Sequence, residues 1–145
     1  MEWEYTDGGR ADAGYRGSTS DCTTRAIAII TGRPYQEIYD IVNQYAKRER
    51  KSKTRTSKSS ARTGVYRATV KRILKDLDFE WVPTMQIGSG CKVHLKASEL
   101  PSGKIIVSLS KHLAAVIDGV VYDTHDPSRD ETRCVYGYWY KKEVA

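Results

Sequence analysis

A single phenylalanine stands against ten tyrosines and three tryptophans. Most of the aromatic packing therefore carries a polar tip that must reach the surface or find a partner. No apolar run approaches the ~20 residues that a membrane-spanning helix needs, so no membrane partner is expected. Cysteine is scarce and odd in number. Cys22, Cys91 and Cys134 are widely spaced and form neither a disulfide framework nor a CxxC metal pattern, which fits a reducing compartment. Cys91-x-x-His94, even with distant Cys134 and His125, lacks a compact ligand set for zinc; neither a metal nor a cofactor is expected. The opening M-E-W-E-Y-T-D-G-G is acidic and polar, unlike a secretory signal. These absences predict a cytoplasmic protein. With 145 residues and no internal repeat, it reads as one domain, 1–145, long enough to bury a core.

The net charge of +6 is unevenly spread. K-R-E-R-K-S-K-T-R-T-S-K-S-S-A-R, from Lys47 to Arg62, holds one acid and no apolar residue larger than Ala61. It has nothing to bury and reads as a mobile basic loop, 47–63. Lys47, Arg48, Arg50, Lys51, Lys53 and Arg55 would be its contacts to an anionic partner such as nucleic acid. No aromatic residue is interleaved, so base stacking is not implied.

The most informative stretch is S-D-C-T-T-R-A-I-A-I-I-T-G, Ser20 to Gly32. Ala26, Ile29 and Ile30 recur at helical spacing, and Gly32 is a stop signal. Asp21 is the natural N-cap, its carboxylate accepting from first-turn N–H groups. Cys22 then sits at the positive end of the helix dipole, where a thiol ionises more readily and the thiolate is the nucleophile. Pro34 starts a second helix running to about Ala46. Val65 or Tyr66 starts a third, with Val70, Ile73, Leu74 and Leu77 as its buried stripe. Glu2–Tyr5, Phe79–Val82, Lys92–Leu95, Lys104–Leu109, His112–Ile117, Val120–Thr124 and Val135–Tyr140 read as strands. Helices first and an antiparallel sheet afterwards make an α+β fold.

Asp118-Gly119 is a strong two-residue hairpin signal. Counting outward, Ile117 faces Val120 and Ala114 faces Asp123. His112 lies on the same face as Ala114, because side chains alternate with a period of two. His112 and Asp123 therefore project from one face as diagonal neighbours. A carboxylate there would hold one imidazole nitrogen and leave the other to take a thiol proton. If the Cys22 helix packs its start against that sheet, Cys22, His112 and Asp123 form a catalytic triad.

S-D-C-T-T-R-A followed by H-L-A-A-V-I-D-G-V-V-Y-D-T-H-D-P resembles the papain-like cysteine peptidase superfamily, especially its compact bacterial and phage members. The bacteriocin-processing peptidases have a similar D-C at a helix start and a later H…D-P on a hairpin. Small phage and prophage proteins share the D-C-x-x-R-A start and the H-x-x-A-x-x-D-G-x-x-x-D-T hairpin. The resemblance implies a papain-like fold acting on a peptide or protein substrate, in the host cytoplasm if the chain is phage-encoded. It implies Cys22 as nucleophile and His112 as base. Asp123 is the third member by the facing argument; Asp126, before Pro127, is the alternative by the D-P match. The family usually carries a glutamine about six residues before the nucleophile as oxyanion donor, where this chain has Arg16. Arg16, Ser20 and Asp21 are thus the expected oxyanion and supporting residues. Arg16 in that place also keeps open a catalytically silent fold that binds protein or nucleic acid through its cleft or basic loop.

Overall fold

A computed structural model describes residues 1–17, 19–50, 57–86 and 88–142. The order is β1 (Glu2–Tyr5), α1 (Cys22–Thr31), α2 (Tyr35–Lys47), α3 (Arg67–Asp76), β2 (Phe79–Pro83), β3 (Lys104–Leu109), β4 (His112–Ile117), β5 (Val120–Asp123) and β6 (Gly137–Lys141), with one 3-10 turn at Ala97–Glu99. The fold is α+β, around a six-stranded sheet in the order β1-β5-β4-β3-β6-β2. No described helix is long and apolar enough to cross a membrane.

The sheet has a core on each face, as alternation along its strands requires. Ile106, Ala115 and Trp139 pack beneath the helices with Ile27, Ile38 and Leu74. Ile105, Val107, Ala114, Val116 and Val121 pack on the other side, with Leu95 and Val135. The hairpin register is Ile117–Val120, Val116–Val121 and Ala115–Tyr122. Asp118 and Gly119 both take positive φ, 48° and 80°, as the turn demands.

Four expectations need correction. The sheet is mixed, because β1 runs parallel to β5. That pairing joins the start of the chain to a strand more than a hundred residues away, which local periodicity does not report. The helix α1 is buried nearly all round, with Ile27 and Ala28 enclosed and Ile29 only half-buried, since it contacts β3, β4 and β5 as well as α2. The end of the basic segment is packed rather than mobile. Ser59 and Ala61 are buried; the Ala61 carbonyl accepts from Thr24 Oγ1 at 2.9 Å and its N–H donates to Asn43 Oδ1 at 3.0 Å. Small side chains that bury little area still dock through backbone hydrogen bonds. Lys92–Leu95 contributes one bridge, His94 to Cys134, instead of a strand.

That bridge overturns the cysteine reading. Leu95 N donates to Arg133 O and Val135 N to Val93 O, both at 2.8 Å. The two segments are thereby held side by side, and Cys91 is joined to Cys134 by a disulfide with Cα atoms 5.7 Å apart. A pair 43 residues apart in sequence has no spacing signature, and the cysteine count no longer points to a reducing compartment. The native oxidised protein should therefore titrate with a thiol reagent at Cys22 alone, and at all three cysteines after reduction and unfolding. Cys91 labelled without reductant would remove the disulfide.

Candidate active site

Three elements converge at the start of α1. Ser20 N donates to Arg62 O at 2.9 Å, fixing the approach to the helix. Cys22 is its first residue, half-buried, and the one free cysteine among the described residues. His112 opens β4 directly after a turn in which Lys111 takes φ 55°. Asp123 closes β5. Its carbonyl accepts from Trp3 Nε1 at 3.1 Å and from Thr6 N at 3.0 Å, so β1 pins its backbone.

His112 Nε2 lies 2.6 Å from Asp123 Oδ2. The Cys22 thiol is acted on by the His112 side chain and the Leu113 backbone, both of which favour its ionised form. With Nε2 held by Asp123, Nδ1 is the nitrogen left for the thiol. Asp126, the alternative third member, accepts from Ser128 N at 3.0 Å and is exposed.

Asp123 is itself held. Its Oδ1 accepts from Thr124 N at 2.7 Å and from Arg25 Nη2 at 3.2 Å. Arg25, one helical turn beyond Cys22, sends Nη1 to Asp21 Oδ1 at 3.1 Å. The Asp21 side chain is fully buried and also accepts from Arg10 Nη1 at 3.0 Å, Thr19 Oγ1 at 2.8 Å and the Tyr35 hydroxyl at 2.7 Å. This corrects the N-cap expectation: Asp21 makes no side-chain cap bond. Two guanidinium groups outcompete a neutral N–H for a carboxylate, because charge-assisted bonds are about twice as strong. The outcome is a continuous chain, Asp21–Arg25–Asp123–His112–Cys22, buried from Asp21 to Asp123 and half-buried at His112 and Cys22. A charge buried this deeply needs a partner; an arginine inside T-T-R-A-I-A-I-I was the sequence signal for one.

Electrostatics follow from these contacts. Burial pushes the Cys22 thiol up, but the His112 hydrogen bond and charge, the Leu113 backbone and Arg25 together hold it below its ordinary range. Burial works against the His112 imidazolium, yet its bonds to Asp123 and Cys22 raise its pKa to about 9. Burial also works against the Asp123 carboxylate, and its bonds to His112 and Thr124 with the Arg25 charge hold it below the usual value. The contacts thus favour the ionised thiol and the protonated imidazole together, each stabilising the other.

The thiol and imidazole open into a cavity of about 750 Å³, within the range of ligand sites. Ser20 lines it, as do Trp81, Tyr136, Trp139, Arg67, Lys71 and Lys111. Trp81 and Trp139 meet at 5.0 Å between ring centroids. Gly137 permits this contact, since a Cβ there would stand 2.4 Å from the Trp81 ring. None of these lining aromatics and cations is evident from sequence as a group, because they come from α3, β2, the β3–β4 turn and the region of β6.

The other predicted residues lie elsewhere. Arg16 is exposed and does not line the cavity; its carbonyl accepts from the Arg62 guanidinium. Lys47, Arg48 and Arg50 are exposed around the end of α2, with Arg48 over the Tyr45 ring at 5.0 Å. Lys51, Lys53 and Arg55 lie outside the described residues. His112, Asp123 and His125 bring potential metal-ligating atoms within 4.8 Å of one another, but Asp123 is already shared between His112 and Arg25. Cys91 is in the disulfide and His94 Nδ1 lies 3.3 Å from Glu99, so they do not form a metal pair. Compared with known protein families, characterised proteins and solved structures, the chain gives no match.

Proposed function

We propose that this protein is a papain-like cysteine hydrolase that cleaves a peptide, isopeptide or related amide bond. The observation that carries the reading is the 2.6 Å bond between His112 Nε2 and Asp123 Oδ2, with the remaining imidazole nitrogen left for a thiol at a helix start whose pKa is lowered. The Cys22 thiolate attacks the carbonyl carbon, and electrons move onto the carbonyl oxygen. Backbone N–H groups of the uncapped first turn of α1, and the side chain of Ser20 on the cavity lining, would donate to that oxygen. The His112 imidazolium gives its proton to the departing nitrogen as the C–N bond breaks. His112 then takes a proton from water, whose oxygen attacks the thioester, and Cys22 leaves as thiolate. Asp123 keeps the imidazole in one orientation throughout.

The test is acylation with a p-nitrophenyl ester. The wild type should release nitrophenolate in a stoichiometric burst and carry the acyl group on Cys22 by mass spectrometry. A wild-type rate no faster than that of Cys22→Ser would overturn the hydrolase and leave the cleft as a binding surface.

A further inference from the structure

The cavity beside Cys22 has a composition of its own. One wall is aromatic: Trp81, Trp139 and Tyr136. Beside His112, the charged residues on its lining are Arg67, Lys71 and Lys111, and no Asp or Glu is among them. Arg67 stands over the Trp81 ring with Cζ 5.7 Å from its centroid, which ties one cation to the aromatic wall. Lys71 lies one turn further along α3, and Lys111 precedes His112 in the turn between β3 and β4. All three cationic side chains are exposed. An apolar wall rewards burial of a large ring on the ligand, and a rim of one sign selects the opposite charge.

Resting on the reading of Cys22 as nucleophile, we infer that the cleft takes an acidic peptide segment in which an aromatic side chain stands next to a carboxylate, close to the bond attacked. The aromatic ring packs on Trp81 and Trp139. The carboxylate meets Lys71, Lys111 or Arg67. A neutral or basic segment leaves these cations unanswered, and a segment of small residues leaves the tryptophan wall wet.

Three haloacetamides of graded structure test this on the intact chain: N-iodoacetyl-phenylalanine, its carboxamide, and N-iodoacetyl-glycine amide. All alkylate a thiol by the same displacement, the sulfur–carbon bond forming as iodide leaves. The phenylalanine carboxamide should react with Cys22 about tenfold faster than the glycine amide, the scale of partial burial of one ring. The free carboxylate should gain about a further fivefold, the scale of an exposed charge pair. In Lys71→Glu and Lys111→Glu, both at exposed positions, the ratio of carboxylate to carboxamide rates should fall to one or below. That ratio is internal to each protein, so a change in thiol reactivity cancels from it. Equal rates across the series, or a ratio untouched by both substitutions, overturns the inference. Iodoacetamide run alongside reports on the nucleophile separately: fast, His112-dependent alkylation with a flat series leaves the hydrolase standing without this specificity.

Discussion

His112→Ala should slow the alkylation of Cys22 by iodoacetamide about tenfold or more at neutral pH. The reason is the change in thiolate population. An ordinary thiol with pKa ~8.5 is only a few per cent ionised there, whereas the wild-type thiol is held below its usual range mainly by the imidazolium. Full ionisation alone would give a larger factor, but a thiolate of lower pKa is also less nucleophilic. The pH profiles should differ in shape as well. In the wild type, alkylation should rise through the lowered Cys22 pKa; in His112→Ala the rise should move up to the ordinary thiol range. Hydrolysis should add a descending limb near pH 9, where His112 loses the proton it must donate to the leaving group. Superimposable alkylation profiles in the two proteins would dissolve the pair.

The same contacts bear on stability, with opposite signs. His112 binds its proton more tightly when folded, so its contribution is fully present below the ordinary imidazole pKa of ~6.5 and is lost as pH rises through about 9. Asp123 and Cys22 are held below their ordinary values. Their contributions are present above those ordinary values and are lost as pH falls through the lowered ones.

Arg25→Met should be the most destabilising single change at the site, by about 3–5 kcal/mol, the usual cost of leaving a buried charge without its partner. Arg25 holds Asp21 with one nitrogen and Asp123 with the other, and its side chain is 9% exposed. The substitution strips a guanidinium from two buried carboxylates at once. Denaturant unfolding measures the loss. Arg25→Lys keeps the charge but not the planar fork, so it should recover only part of the stability. A positioning role predicts a second readout that simple destabilisation would not give. Without Arg25 the Asp123 carboxylate titrates higher, and the acid limb of Cys22 alkylation should shift upward at temperatures where the variant is fully folded. A loss below about 1 kcal/mol, the range of solvated surface pairs, together with an unmoved acid limb, would reduce Arg25 to a bystander.

What the sequence by itself determined was local. Helical spacing and the stops at Gly32 and Pro34 delimit α1 and α2. The Asp118-Gly119 turn, with a side-chain period of two, sets the β4–β5 register and puts His112 beside Asp123 without any knowledge of the rest of the fold. These features depend on backbone geometry over a few residues, so a few residues specify them.

The tertiary structure decided everything that needed two distant segments to meet. Asp21 looked like a cap because its neighbours in sequence are helix N–H groups; its neighbours in space include the Arg10 and Arg25 guanidiniums and the Tyr35 hydroxyl. Arg25 reaches Asp123 across 98 residues, β1 joins β5 in parallel, and Cys91 finds Cys134 because two irregular segments pair by backbone hydrogen bonds. The cleft is the extreme case: its tryptophans and cations come from separate elements and share no periodicity. Local sterics and burial patterns fix which face a side chain occupies, but only the packing of whole elements fixes what stands opposite it, and the chemistry at Cys22 depends on the second.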